Sequence, residues 1–188
     1  MRVLLLITML SIIGCSPKQT PAELFFERLN AHCGNAYGGE ITSDDPADAD
    51  YADAPLVMEL RECSDNEILI PLHIDDNRSR TWIITKTENG LRLKHRHRHM
   101  DGQLDPVTNY GGDANRFEQH RVEFPVDEYS VELFEKEGLT AAVTNTWALE
   151  LTEGQFVYEL FRDGRTFRAE FDLTEPVSSP PAPWGEEG

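Results

Sequence analysis

The sequence predicts a mainly β fold: an antiparallel up-and-down barrel behind one N-terminal helix, with a two-layer β-sandwich as the alternative. Three observations carry that expectation. Residues 91–100 alternate Leu91, Leu93, His95, His97 and His99 with Arg92, Lys94, Arg96 and Arg98; period two is the signature of a strand with two unlike faces. Many short apolar segments follow one another, several separated by tight turn pairs at Asn89-Gly90, Glu153-Gly154 and Asp163-Gly164. Folding the chain at those turns returns one shared apolar face. The turn at Asn89-Gly90 sets Ile84 opposite His95 and Trp82 opposite His97. The turn at Glu153-Gly154 sets Trp147 opposite Leu160, Leu149 opposite Tyr158 and Leu151 opposite Phe156. The turn at Asp163-Gly164 adds Phe167, Ala169 and Phe171, leaving Glu150, Glu159, Arg168 and Glu170 outside.

The chain begins with a leader. Met1-Arg2 is a short basic start, and residues 3–13 form an apolar run too short to span a bilayer. Ile12-Ile13-Gly14-Cys15 resembles the bacterial lipobox: an aliphatic residue, a small residue before the cut, then a cysteine. The resemblance implies that residues 1–14 are a lipoprotein signal peptide. Cys15 is then acylated with palmitate or a similar chain and anchored in a lipid membrane, where two or more chains hold stably. Ser16 stands where an enterobacterial inner-membrane retention signal has Asp, so the expected location is the cell envelope, at the outer membrane facing the periplasm. An ordinary secretory leader is the alternative. If Cys15 carries lipid, Cys33 and Cys63 remain as a pair in an oxidising compartment; a disulfide between them is expected, two buried thiols being the alternative.

Residues 15–20 read as a tether, 21–175 as the β domain, and 176–188 as a disordered tail rich in Pro, Ser, Gly and Glu. Thr20-Pro21-Ala22-Glu23 opens a helix, with Thr as N-cap, Pro at the first position and Glu closing a capping box. Leu24, Phe25 and Leu29 give it an apolar side, and Gly34 a terminator. Strands are expected at 36–42, 55–62, 67–74, 80–87, 91–100, 121–125, 143–152, 155–162 and 165–173. An Asp-rich loop spans 43–54, a Gly/Asp/Asn-rich loop spans 101–117, and 127–139 holds a short helix. A simple meander places Asn89-Gly90, Asp163-Gly164, both cysteines and the helix at one end. The two long loops and His99 lie at the other, the open mouth where small barrels hold ligands.

Charge narrows the partners. The formal net charge is −17, and removing Arg2 with the leader leaves 16 basic against 34 acidic residues. Such a surface repels phosphate backbones, and no nucleic acid is expected to bind. The chemistry on offer is histidine. Imidazoles on alternate strand positions stand about 6–7 Å apart at Cα, so two neighbours can share a divalent metal, with Asp101, Asp105 or Asp113, or the Asp44–Asp53 loop, supplying oxygen. Two other readings stay open: His95 and His97 as hydrogen-bonded wall residues beside Trp82, or a histidine with Asp101 in acid–base catalysis of lyase or isomerase type. Tyr110-Gly111-Gly112 is a turn whose backbone can approach a ligand closely. The Asp-rich loop lacks the Gly and terminal Glu of an EF-hand and reads as a solvated surface. The stripe Arg92, Lys94, Arg96, Arg98 pairs with acidic neighbours, contacts a partner, or meets anionic lipid.

The block Leu93-Lys94-His95-Arg96-His97-Arg98-His99-Met100-Asp101-Gly102, with Val107-Thr108-Asn109-Tyr110-Gly111-Gly112 after it, resembles one in uncharacterised bacterial secreted proteins and lipoproteins. The strands from Trp147 to Val177 resemble the same family, and the likeness extends over 22–177. It implies an exported location and no particular activity. Likeness to calycin and lipocalin barrels is architectural; their Gly-x-Trp on the first strand is replaced here by Asn35-Ala36-Tyr37-Gly38-Gly39. The expectation is an envelope lipoprotein that binds a small molecule or divalent metal near His95, His97, His99, Asp101, Trp82 and Tyr110. An acid–base enzyme and a structural or partner-binding module are the alternatives.

Overall fold

The structure is a computed structural model describing residues 18–49, 51 and 53–186. The expected leader, residues 1–14, and Cys15 lie outside the described residues. Helix α1 (Pro21–Asn30) starts as the sequence indicates: the Thr20 hydroxyl accepts the Glu23 N–H, and the Glu23 carboxylate accepts the Thr20 N–H. Its buried face, Ala22, Phe25, Phe26 and Leu29, closes one end of the barrel. Gly34, at φ +81°, turns the chain away and donates its N–H to the Leu60 carbonyl.

Twelve strands follow: β1 (Ala36–Ile41), β2 (Leu56–Glu59), β3 (Glu62–Cys63), β4 (Glu67–Ile74), β5 (Asn77–Thr87), β6 (Gly90–His97), β7 (Tyr110–Asp113), β8 (Arg116–Phe117), β9 (Arg121–Pro125), β10 (Thr146–Leu151), β11 (Gln155–Arg162) and β12 (Arg165–Val177). Helix α2 (Glu128–Lys136) lies between β9 and β10. All pairings are antiparallel in one curled sheet, ordered β7-β6-β5-β4-β2-β1-β12-β11-β10-β9-β8, with β3 added against β4. This is an up-and-down barrel, not two stacked sheets.

The curl is drawn together at a seam between β7 and β9. Asp127 donates its N–H to the Gly111 carbonyl, and the buried Ser130 hydroxyl accepts the Gly111 N–H at 2.8 Å. Two glycines make that approach possible. A Cβ on Gly111 would stand 2.0 Å from the Leu93 carbonyl oxygen, and one on Gly112 would stand 1.8 Å from that of Pro125. The Tyr110-Gly111-Gly112 segment is therefore a strand squeezed between two others; its backbone approaches backbone rather than a ligand.

The registers of β10–β11 and β11–β12 are those the turns specify, including Leu149 opposite Tyr158 and Phe156 opposite Phe171. The β5–β6 hairpin is slipped by two residues. Its turn is Glu88-Asn89, Thr87 faces Gly90, and Trp82 stands opposite His95. An even slip leaves every side chain on its face, so the interior is unchanged. Trp82, Ile84, Leu91, Leu93, Trp147, Phe156 and Phe171 are buried together. On the outside of β9–β12, Arg121 pairs with Glu123, Glu150 and Glu159, and Arg168 with Glu150 and Glu170.

Strand β7 falls in what the sequence offered as a loop, and this corrects the assignment of the ends. One extra crossing reverses every later strand, so Glu153-Gly154 lies beside α1, where Arg28 donates to the Leu151 carbonyl at 2.9 Å. Asp163-Gly164 lies instead at the mouth, beside the Asp-rich loop. That loop is less solvated than expected: Asp48, 5% exposed, and Asp45 both engage Arg165. Cys33 and Cys63 share the closed end and form a disulfide with a Cα separation of 6.2 Å.

The tail expected to be disordered from Pro176 is ordered through Glu186. Strand β12 runs to Val177, and the following residues climb the outer face. Arg61 donates to the Pro180 carbonyl, Arg78 to that of Ala182, and Glu186 pairs with Arg96 and Arg98. The basic stripe is thus matched along its length, since Arg92 pairs with Asp113 and Lys94 with Asp127. Among the described residues no helix is long and apolar enough to cross a membrane.

Candidate functional site

Strand alternation stacks the interior in layers, and the layer below the mouth is aromatic and polar. Trp82 on β5 lies flat against Tyr158 on β11, with centroids 4.3 Å apart and planes 10° off parallel. His95 on β6, 2% exposed, lies flat on Tyr110 at 4.7 Å and tilts against Trp147 at 4.9 Å. Asn109, in the left-handed region at φ 59°, donates its N–H to the His95 carbonyl and turns the chain so that Tyr110 runs back beside His95.

Both His95 nitrogens are engaged. Nδ1 lies 3.2 Å from the Tyr110 carbonyl oxygen and Nε2 lies 2.9 Å from the Tyr158 hydroxyl. A carbonyl can only accept, so Nδ1 carries the proton and the Tyr158 hydroxyl donates to Nε2. Burial pushes the His95 pKa down to about 3, with His97 adding to the fall. Burial also raises Tyr158 well above the ordinary phenol range. The pair is a neutral, hydrogen-bonded wall.

One layer outward, His97 places Nε2 3.0 Å from the Tyr110 hydroxyl, and its backbone N–H is held by Thr108 Oγ1 at 2.8 Å. Burial and the Arg80 guanidinium lower its pKa to about 4, against an opposing pull from Asp105. Tyr110 is raised to about 12 by burial. These groups border a cavity of about 370 Å³ at the mouth, whose other walls include Val107, Phe134, Leu139, Ala142 and Leu160. It is a recess with largely apolar walls and with His97, Tyr110 and Tyr158 at its floor, lined in addition by Asp105 and Asn145.

The expected residues divide accordingly. Trp82, His95, His97 and Tyr110 come together, with the first two beneath the floor. His99 does not: its side chain is 54% exposed and stands 3.7 Å from Asp105. Asp101 is an exposed turn residue whose carboxylate accepts the Gln103 N–H, so the His–Asp101 pair required for acid–base chemistry is not assembled. No three His, Cys, Asp or Glu side chains among the described residues converge as a metal-ligand set. Reasoning from the sequence missed Arg80 and Asn145 at the mouth, although Arg80 continues the alternation of Ile84 and Trp82.

No family model matches this chain. No curated protein matches it. Among solved structures it is similar to a redesigned β-barrel at 10% identity and a TM-score of 0.31, covering 79% of this chain and 96% of that one. Nothing about ligand or activity follows from so distant a likeness.

Proposed function

We propose that the protein is a small-molecule-binding module whose ligand enters the barrel mouth and rests on His97, Tyr110 and Tyr158. One observation carries the reading: a recess of about 370 Å³ that joins apolar walls to a floor of convergent, neutral polar groups, with Asp105 and Asn145 also in its lining. Small-ligand sites combine apolar lining with a few fixed donors and acceptors in this way. The floor is rigid, because its rings stack on one another and each imidazole is held by a hydrogen bond. Ordering on binding is then cheap.

Fluorescence of the neutral apolar probe N-phenyl-1-naphthylamine tests this reading. It should rise on binding the native protein and stay flat with Ala142→Phe, which fills the recess from a half-buried position. Equal enhancement in both proteins, at equal thermal midpoints, places the probe elsewhere and contradicts the reading.

We also propose that Cys15 is acylated and tethers the domain to the outer membrane on its periplasmic side. The lipobox resemblance supports this. So does the position of Thr20, which enters the fold at the closed end, opposite the mouth. Incorporation of labelled palmitate, abolished by Cys15→Ser, is the expected result; label retained in that variant contradicts it.

A further inference from the structure

Among the described residues, two arginines at inward strand positions near the mouth lack a carboxylate partner. Arg80 continues the inward face of Ile84 and Trp82 on β5 and stands opposite His97 on β6 and Leu72 on β4. Arg162 continues the inward face of Phe156, Tyr158 and Leu160 on β11. Their hydrogen bonds go to neutral groups: Arg80 Nη1 donates to Ser79 Oγ at 3.2 Å, and Arg162 Nη1 to Asn145 Oδ1 at 3.0 Å. Among the described residues neither has a carboxylate within ion-pair distance. In a chain with 34 acidic and 17 basic residues, most of the described arginines do find a carboxylate. On the outer surface Arg92, Arg121 and Arg168 all have carboxylate partners, and at the mouth Arg165, opposite Arg162, pairs with Asp45 and Asp48. Arg80 does not line the recess itself but is close enough to act on three groups that do: it adds to the fall at His97 and opposes the rise that burial causes at Tyr110 and Tyr158.

A guanidinium retains donors for which a carboxylate is the matching acceptor. The apolar wall beside it strengthens that attraction relative to open water. Two features limit the charge. Asp105 also lines the recess, with Oδ1 accepting the Val107 N–H and Oδ2 turned to His99, and it repels a second negative charge. The strongly acidic surface adds to that repulsion. The walls beyond the head group are apolar, and the rings of Tyr110 and Trp147 favour a flat body.

We infer that the mouth selects an organic carboxylate, a monoanion with an apolar body whose head group is held by Arg80 beside the floor hydroxyls. This rests on the binding reading above and names its ligand class. The test compares isosteric pairs, cinnamate with cinnamamide and octanoate with octanamide, by displacement of N-phenyl-1-naphthylamine and by calorimetry. Each acid should bind the native protein about 10- to 100-fold more tightly than its amide, the range expected of a charge-assisted hydrogen bond. Arg80→Gln should bring the acid down to the level of the amide while leaving the amide unchanged. Arg80→Lys should retain part of the preference. In the native protein the preference should shrink as sodium chloride is raised, a readout that needs no variant. Acid and amide binding equally, or a preference that survives Arg80→Gln and is indifferent to salt, overturns the carboxylate assignment and leaves the binding reading standing. Failure of every probe, the naphthylamine included, removes both.

Discussion

Lowering the pH from 6 to 5 should cost this fold a large share of its stability, and the histidines specify how much. His95 and His97 are held to about 3 and about 4 in the native state. His73, 5% exposed, has no partner for Nε2; burial and the nearby Arg78 and Arg61 charges take it to about 4. In the unfolded chain each titrates near 6.5. Between pH 6 and 5 the unfolded state therefore binds nearly three more protons than the native state. Stability is complete above the unfolded pKa and is lost as pH falls through this window. At about 1.4 kcal/mol per proton per pH unit, the loss is roughly 3–4 kcal/mol, set against a total of about 5–15 kcal/mol for an ordinary domain. Paired carboxylates such as Asp113 and Asp127, whose pKa values are lowered, contribute mainly at more acidic pH. The assay is urea unfolding at pH 7, 6 and 5, followed by tryptophan fluorescence with Trp82 and Trp147 as buried reporters. His95→Gln keeps a donor and an acceptor but cannot titrate, so its loss over the same interval should be about 1 kcal/mol smaller. A native protein equally stable at pH 6 and 5, or a variant with an unchanged slope, would refute the assignment of His95 as neutral and buried.

Four further outcomes follow from the seam, the disulfide and the strapped tail. Ser130→Ala leaves the buried Gly111 N–H without its acceptor and should lower the unfolding free energy by about 1–3 kcal/mol, measured by chemical denaturation. Gly112→Ala drives a methyl into the Pro125 carbonyl and should cost about 3 kcal/mol or more, with amide exchange accelerated first in β7 and β9. Reducing Cys33–Cys63, or replacing both residues with Ser, should lower stability by about 3–4 kcal/mol for a loop of this length. Glu186→Gln releases Arg96 and Arg98 from their carboxylate; it should raise protease sensitivity around residues 178–186 while shifting the thermal midpoint by less than about 2 °C.

What could be read from the sequence was whatever strict alternation and turn chemistry govern. Residues 146–173 gave their registers without error because two Gly-containing turns fixed them and each strand had one plainly apolar face. The β5–β6 hairpin gave its face but not its register, since turns at Asn89-Gly90 and Glu88-Asn89 set registers two residues apart and leave the pattern alike. Strand β7 escaped because Tyr110-Gly111-Gly112-Asp113 carries loop-forming residues. The glycines there serve a close approach of three backbones, a tertiary demand that local propensity does not show. Missing that single crossing inverted the ends of every later hairpin. The tail misled for a related reason: its Pro, Ser and Gly content suits disorder, yet arginine side chains hold its carbonyls.

The candidate site was half legible. Alternation placed His95 and His97 inside with Trp82, but extended the same face to His99, where the strand has already ended and the side chain meets solvent. The histidines drew attention from Tyr158 and Arg80, which period-two counting places on the same interior. An inward arginine reads from sequence as an interruption of the apolar face; in three dimensions it stands at the mouth, where a charge can reach water.

The binding claim is met most directly by isotope-filtered NMR on the methyl-labelled protein with cinnamate bound. Contacts from the cinnamate ring to the methyls of Val107, Leu139, Ala142 and Leu160 are the predicted result. Ring contacts confined to methyls at the closed end, such as those of Leu24, or to the outer face would contradict a ligand seated in the mouth.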